Sequence, residues 1–145
     1  MRTMPPIDVV CDASVVLKWF HEEGEEEVEP SRALLELHRS RRVALSVLDL
    51  TFLEVANVIL RALHAKSEHV AIVLDALAEI CPQLPVSHAA LTEAVKLAER
   101  HGLTVYDAAY AAVAAGRRAQ LATMDRALLD AGLGRRPSDI LRSVT

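Results

Sequence analysis

A short apolar run near the start of the chain, Ile7–Cys11, is followed at once by an aspartate and a helical pattern. Pro5 and Pro6 precede the run, and its isoleucine and valines are typical of a short buried β-strand. The apolar spacing of Ala13–Phe20 predicts a helix directly afterwards. Asp12 therefore lies at the carboxyl end of a first strand, where open α/β sheets bind ligands. It is either a residue of such a site or a cap for the following helix.

Beyond this start, extended and helical patterns follow one another along the chain. Extended segments are predicted at 43–47, 83–86 (an edge strand) and 119–123, while 135–141 gives at most a last short strand and a tail. Helices are predicted at 32–38, 48–65, 67–80, 88–101, 106–116 and 127–130. The acidic run 21–29 is interpreted as a solvated loop, with an electrostatic gate or a partner contact as the alternative.

Length and composition limit the classes of protein to which the chain can belong. Its 145 residues, 52% of them hydrophobic, fit one domain spanning 1–145 with a sizeable core. An excess of 20 acidic over 16 basic residues excludes a polybasic nucleic-acid binder by composition. Cys11 and Cys81 lack the spacing of a zinc framework and suit a reduced compartment. With no signal-peptide pattern and no long apolar run, we expect a cytoplasmic protein without a membrane span.

Four acidic residues lie at predicted strand ends, in a first helical turn or in an apolar helix, positions where a negative charge suggests a specific role. Asp12 and Asp125 follow predicted strands, and Asp107 lies in the first turn of a helix, where the helix dipole favours a negative charge. Glu54 lies in the most apolar part of its helix, with Asn57 three residues on and on the same face. A carboxylate there is either part of an exposed stripe or a buried group with a partner.

If the strands are parallel, their carboxyl ends share one edge of the sheet and bring these acids together. Such carboxylates repel one another unless a cation lies between them. Oxygen ligands suit Mg²⁺ or Mn²⁺, which bind a few carboxylates together with water and substrate phosphate. The pattern therefore indicates a site for metal-assisted hydrolysis of phosphodiesters.

Four segments of the sequence resemble the motifs of the PIN-domain ribonucleases, in particular the VapC-type toxins of toxin–antitoxin pairs. They are VVCDASVVLKWF at 9–20, LEVANVIL at 53–60, TVYDAAY at 104–110 and LATMD at 121–125. Each motif alone is weak, but the order and spacing of all four match over nearly the whole chain. One departure is Leu48, where family members often carry proline before the helix that bears the glutamate.

The resemblance implies a three-layer α/β/α sandwich with a central, mainly parallel sheet, and a Mg²⁺-dependent endoribonuclease site in which Mn²⁺ can substitute. By motif position it assigns metal binding and catalysis to Asp12, Glu54, Asp107 and Asp125, catalysis to Thr123, and supporting roles to Ser14 and Asn57. The implied partners are an RNA substrate, a cognate antitoxin and a second copy of the chain in a homodimer. The implied products carry a 5′-phosphate and a 3′-hydroxyl.

Other functions that gather acids at strand ends find less support in the sequence. A signalling receiver domain needs an acidic pair after the first strand and a late lysine, which this chain lacks. A dehalogenase-type phosphatase needs a second aspartate where Ser14 stands. The five glycines form no phosphate-binding loop, and the histidines form no His-Glu-x-x-His zinc pattern. The alternative that stays open is a catalytically silent PIN fold that binds RNA or protein.

Several aromatic and basic side chains have two interpretations. Trp19 and Phe20 are expected to pack in the core or in a dimer interface, with stacking on RNA as the alternative. Tyr110 either lines the site or packs in the core. Candidate phosphate contacts, each with a solvated surface role as the alternative, are Lys18, Arg41, Arg42, Arg117, Arg118 and Arg126.

Overall fold

The computed structural model describes residues 4–21 and 26–144. The strands within these ranges are β1 (Ile7–Cys11), β2 (Val43–Leu48), β3 (Gln83–Leu84) and β4 (Gln120–Ala122). The helices are α1 (Ala13–Phe20), α2 (Val28–Arg39), α3 (Asp49–Asn57), α4 (Ser67–Ile80), α5 (His88–His101), α6 (Val105–Gly116), α7 (Arg126–Asp130) and α8 (Pro137–Val144). A π-helical segment, Val58–Ala62, continues α3.

The four strands form one parallel sheet in the order β3-β2-β1-β4. Val9 on β1 lies opposite Leu45 on β2 and opposite Gln120 on β4. The short strand β3 lies at an edge, as predicted for a segment followed by Pro85. Because all strands run the same way, their carboxyl ends meet at one edge of the sheet, which we call the carboxyl edge.

Helices cover both faces of this sheet, because successive residues of a strand point to opposite faces. Val9 and Cys11 pack in a core with α1–α4 and α8. Val10 packs in a second core with α5, α6 and α7. The alanine-rich helix α6 is buried throughout 108–114, since small side chains let it approach the sheet closely. The predicted three-layer α/β/α architecture with a central parallel sheet is confirmed.

Trp19 packs in the first core, where its indole Nε1 donates a hydrogen bond of 2.9 Å to the carbonyl oxygen of Ser31. Its neighbour Phe20 is partly buried against the same core. Trp19 thus fixes α1 against α2, because the ring buries its apolar surface and the polar tip finds a partner. The core interpretation of these two aromatic residues is confirmed.

Three segments differ from the predicted boundaries. The expectation of at most a short strand and a tail at 135–141 is wrong, because the chain forms α8 there, with Ile140 fully buried. Pro137 begins this helix at the position that proline favours. The predicted helix 48–65 is α-helical only as far as Asn57 before it becomes π-helical. Helix α2 begins at Val28, four residues earlier than predicted.

The acidic run 21–29 lies only partly within the described residues, and 22–25 fall outside them. At its described end, the Glu27 side chain accepts a 2.8 Å hydrogen bond from the backbone nitrogen of Ser138. This end of the run therefore makes a contact within the chain, near the first turn of α8.

Among the described helices, none is both long and apolar enough to cross a membrane.

Candidate active site

The four predicted acids lie around the carboxyl edge of the sheet. Asp12 directly follows β1, and Asp125 follows the adjacent strand β4 after two residues. Asp107 lies in the first turn of α6, and Glu54 lies within α3, the helix that begins where β2 ends. The negative charge of Glu54 acts on Asp12, and the charges of Asp107 and Asp125 act on Glu54. The fold therefore brings all four carboxylates into one electrostatically coupled cluster, here called the acid cluster.

Asp12 is the most deeply buried member, with only 6% of its surface exposed. Its Oδ1 accepts hydrogen bonds from the hydroxyl of Ser14 (2.5 Å) and from the backbone nitrogen of Val15 (3.3 Å). Its Oδ2 accepts a hydrogen bond from the hydroxyl of Thr123. The residue therefore caps α1, as one interpretation predicted, and at the same time presents a carboxylate fixed by two hydroxyl groups at the carboxyl edge.

Both hydroxyl groups are oriented by backbone N–H groups that donate to them. The nitrogen of Met124 donates to the Ser14 oxygen over 2.9 Å, and the nitrogen of Asp125 donates to the Thr123 oxygen over 2.9 Å. Each hydroxyl oxygen already accepts a hydrogen bond from a backbone N–H, so its own hydrogen is free to point at Asp12. This arrangement stabilises the ionised form of the aspartate.

Burial nevertheless raises the pKa of Asp12 from 3.8 to about 6, because the apolar surroundings penalise its charge. The hydrogen bonds from Ser14, Thr123 and Val15 oppose this effect, and the negative charge of Glu54 adds to it. Without a cation, Asp12 therefore holds its proton at a pH where an ordinary aspartate is ionised.

Glu54 is half-buried and has a hydrogen-bond partner. Of its two predicted environments, the structure therefore favours the buried group with a partner over the exposed stripe. The hydroxyl of Tyr110 donates a 2.6 Å hydrogen bond to Oε1 of Glu54. That hydroxyl also lies 2.8 Å from Oγ1 of Thr51, which accepts from the backbone nitrogen of Leu48 over 3.0 Å. A continuous chain of hydrogen bonds thus runs from the start of α3 through Tyr110 to the carboxylate.

Tyr110 fulfils both predicted roles. It is only 1% exposed and packs in the second core, and its hydroxyl orients Glu54 at the wall of the site. Burial raises the pKa of its phenol, which keeps it a neutral hydrogen-bond donor. Thr51 is a residue that the sequence analysis missed. Its only signal was a hydroxyl three residues after Leu48, a spacing at which a side chain can accept a hydrogen bond from the backbone nitrogen of the residue that caps the helix.

Glu54 and Asp107 are half-buried, and neighbouring carboxylates raise the pKa of each. Burial and the charge of Asp125 raise the pKa of Asp107, although the hydrogen bond with Thr104 opposes them. Thr104 caps α6 by accepting from the nitrogen of Asp107 over 3.1 Å. For Glu54, burial raises the pKa most, the Tyr110 hydrogen bond lowers it, and the charges of Asp107 and Asp125 raise it further.

Comparison with known proteins identifies the family of the chain. Residues 9–132 match the family model of the PIN domain. The chain belongs to the PIN domain family. No curated protein shows significant sequence similarity to it.

Solved structures share the fold of this PIN domain at low sequence identity. PAE2754 from Pyrobaculum aerophilum is 22% identical with a TM-score of 0.69, over 95% of each chain. A chain of a toxin–antitoxin complex from Klebsiella pneumoniae is 18% identical with a TM-score of 0.65, over 89% of this chain and 97% of that one. VapC20 from Mycobacterium tuberculosis, a sarcin-ricin loop cleaving toxin, is 15% identical with a TM-score of 0.66, over 86% and 95%.

The donor atoms of the acid cluster suit a hard divalent cation. All are carboxylate or hydroxyl oxygens, the ligands that Mg²⁺ and Mn²⁺ prefer. A cation would also relieve the mutual repulsion that raises the pKa of Glu54 and Asp107. In 4–21 and 26–144, no three acidic, histidine or cysteine side chains stand close enough together to hold a metal ion. What fits Mg²⁺ or Mn²⁺ is therefore the chemistry of these oxygen donors, not a preformed set of ligands.

Asn57, predicted as a supporting residue, is exposed in the structure. It lines a shallow groove between α3 and α4 together with Leu60, Val70 and Leu74. Its position thus places it beside apolar residues of α4 rather than among the hydrogen bonds that hold the acids.

The candidate phosphate contacts divide between the two edges of the sheet. Arg41 and Arg42 directly precede β2, and Arg117 and Arg118 lie shortly before β4, so these four lie toward the amino ends of the strands. Arg126 is exposed and follows Asp125 at the start of α7. The sixth, Lys18, lines a groove of about 410 Å³ beside Ser14, whose apolar walls are Leu17, Val58, Leu63 and Met124. Only Lys18 and Arg126 among the six therefore lie on the side of the acids.

Gly134 packs closely against Thr123, and the position has no room for a side chain. A Cβ atom at this position would lie 2.5 Å from Cγ2 of Thr123 and 3.3 Å from the carbonyl oxygen of Leu121. The chain is pinned at this point, since the nitrogen of Arg135 donates to that same carbonyl oxygen over 2.8 Å. The sequence analysis did not predict this close approach.

We expect Gly134→Ala to destabilise the PIN domain by about 1–3 kcal/mol, because the added methyl group overpacks the contact with Thr123. Urea denaturation followed by circular dichroism measures the effect. Gly116→Ala is the matched control, since nothing lies within 4 Å of a Cβ atom there. Equal stabilities of the two variants would show that the Thr123 contact gives way freely.

Proposed function

We propose that this PIN domain is a divalent-metal-dependent endoribonuclease and the toxin of a toxin–antitoxin pair. One observation carries the proposal. The carboxylate of Asp12 is buried at the carboxyl edge, fixed by Ser14 and Thr123, and coupled to the charge of Glu54. Burying an acid among other acids is costly in a merely structural role, so the arrangement favours a site that binds a cation.

In this proposal Asp12, Glu54, Asp107 and Asp125 hold the ion. Bound there, Mg²⁺ or Mn²⁺ supplies Lewis-acid stabilisation of the phosphate and lowers the pKa of water. The chain's own groups position the carboxylates. Ser14 and Thr123 hold Asp12, and the hydroxyl of Tyr110 holds Glu54. Hydrolysis in line would leave a 5′-phosphate and a 3′-hydroxyl.

We propose that two cationic side chains near the acid cluster contact phosphates of the substrate. Lys18 lines the groove beside Ser14, and Arg126 lies next to Asp125 at the start of α7. They offer a small positive contribution to an otherwise acidic edge, since the chain carries a net charge of −4. We propose that they orient the RNA backbone rather than supply most of the affinity.

The proposed toxin role rests on the family and on the solved relatives, which include toxin–antitoxin complexes. The acid cluster would attract a basic side chain from an antitoxin peptide, which would block access of RNA to the carboxylates. We further propose that the chain forms a homodimer and acts in the cytoplasm.

The test uses protein free of antitoxin and an RNA that combines duplex stems with single-stranded loops. We expect cleavage with Mg²⁺ or Mn²⁺, no cleavage with EDTA, and loss of cleavage in Asp107→Asn. Asp75→Asn is the matched control, because Asp75 is an exposed carboxylate on α4 outside the acid cluster. Gel electrophoresis of end-labelled RNA measures the products and their terminal phosphates.

Cleavage that survives EDTA or Asp107→Asn would contradict the proposal and indicate a contaminating nuclease. Folded protein that binds RNA but cuts nothing with either ion would support the alternative of a silent binding module.

A further inference from the structure

Tyr106 is an exposed aromatic residue beside the acid cluster. It is 66% exposed, and it directly precedes Asp107 in the first turn of α6. The sequence contains five aromatic residues, and the other four are buried or partly buried in the cores: Trp19, Phe20, Phe52 and Tyr110. An aromatic ring left in solvent at this position, in a chain that buries its other rings, calls for an explanation.

The direction of α6 places Tyr106 at the end of the helix where the acids lie. The Cα–Cβ bonds of an α-helix tilt toward its amino terminus. The amino terminus of α6 lies at the acid cluster, because Asp107 in its first turn is coupled to Asp125 and Glu54. Tyr106, in the first turn of α6, therefore lies at the end of the helix that adjoins the acid cluster.

Other exposed apolar side chains adjoin the same acids. Val105, which precedes Tyr106, is 39% exposed, and Leu53, which precedes Glu54, is 70% exposed. Each thus lies one or two residues from a member of the acid cluster. Substrate approaching the acids therefore meets exposed apolar side chains as well as the two cations Lys18 and Arg126.

Resting on the proposed ribonuclease function, we propose that Tyr106 is a specificity-determining residue that stacks on a nucleobase next to the scissile phosphate. The acidic chain, with few cations at this edge, gains little affinity from phosphate charge. Stacking on an aromatic face needs no positive charge and accepts every base. It requires an unpaired base that can be splayed out, so Tyr106 selects single-stranded RNA over duplex RNA.

The experiment measures kcat and KM for cleavage of a short single-stranded RNA by wild type, Tyr106→Ala, Tyr106→Phe and Tyr106→Trp. We expect Tyr106→Ala to raise KM about 10- to 100-fold with a much smaller change in kcat, the range typical for loss of one stacked base. Phenylalanine and tryptophan should retain a KM within about 3-fold of wild type, because they keep the aromatic face. The matched control is Ile72→Ala, since Ile72 is 65% exposed on α4.

A set of RNAs locates the stacked base. Each RNA carries one abasic site in place of a different nucleotide near the cleaved bond. One abasic site should raise the wild-type KM as much as Tyr106→Ala does, and should add nothing further in that variant.

Three results would overturn the stacking proposal. They are an unchanged KM in Tyr106→Ala, no rescue by Phe or Trp, and an abasic effect that is additive with the mutation. If wild type and Tyr106→Ala cleave RNA equally well, the stacking proposal is wrong but the proposed ribonuclease function stands. Wild type that cleaves no RNA with either ion overturns the proposed function and the stacking with it. Tyr106→Ala that weakens only binding of an antitoxin would assign the ring to a protein partner instead.

Discussion

Replacing Asp12 with asparagine is expected to reduce RNA cleavage on the order of a thousand-fold. The substitution removes the most buried carboxylate of the acid cluster and with it the negative charge that would hold the ion. Metal-based stabilisation of a transition state is worth several kcal/mol, and each 1.36 kcal/mol corresponds to about ten-fold in rate. The measurement is kcat/KM on the RNA that wild type cleaves best.

The same variant should be more stable than wild type when no metal is present. Raising the pKa of Asp12 from 3.8 to about 6 costs the ionised protein on the order of 3 kcal/mol at neutral pH. Asparagine has nearly the same shape, carries no charge, and leaves an oxygen to accept from Ser14 or Thr123. Urea denaturation in EDTA at pH 7.5 should therefore give a higher midpoint for Asp12→Asn. Loss of activity with gain of stability distinguishes a functional carboxylate from a structural one.

Asp8→Asn is the matched control, because Asp8 is an exposed carboxylate on the same strand. It should change neither cleavage nor stability by more than a few tenths of a kcal/mol. A destabilised Asp12→Asn protein would contradict the expectation and would mean that the hydrogen bonds to the carboxylate outweigh its burial.

Local signals in the sequence were enough to place much of the fold and the acids. The valine-rich run of β1 and the cap that Asp12 gives to α1 depend on neighbours within three residues, so a pattern can show them. The position of Asp12 after β1 followed from the same local signal. The pairing of all strands in parallel then placed the remaining acids at one edge.

Contacts between distant parts of the chain could not be predicted in this way. The environment of Glu54 depends on Tyr110, 56 residues later, and the space around Thr123 depends on Gly134. The segment 135–141 also shows the limit of local patterns. Arg135 bridges to β4 like a strand, but Pro137 begins a helix whose Ile140 fills the core beside α2. That docking, rather than the local pattern, decided the structure.

The stability of the metal-free protein is expected to fall as the pH rises from about 4 to above 6. Asp12 has a higher pKa in the folded protein, about 6, than in the unfolded chain, near 3.8, so the folded state binds its proton more tightly. Its contribution is fully present below about pH 4 and is lost as the pH rises through 6. The raised pKa values of Glu54 and Asp107 act in the same direction.

A divalent cation should reverse this loss, because it binds the ionised carboxylates of the folded state only. At a hundred times its dissociation constant, a ligand adds about 2.7 kcal/mol to the free energy of unfolding. Protons compete with the ion for Asp12, so Mg²⁺ or Mn²⁺ should raise the melting temperature strongly at pH 7.5 and little at pH 5. Thermal denaturation with EDTA or with either ion, at matched ionic strength, measures both effects.

The Asp12→Asn variant separates the acid cluster from the rest of the protein in this experiment. Its metal-free stability should vary less with pH between 4 and 7 than that of wild type, and the ions should raise its melting temperature much less. If the ion raised the melting temperature of wild type equally at pH 5 and pH 7.5, the cation would be binding elsewhere on the acidic surface. If both proteins instead became more stable as the pH rose through 6, Asp12 would not be the carboxyl that burial holds protonated, and the cost of ionisation would lie with another group.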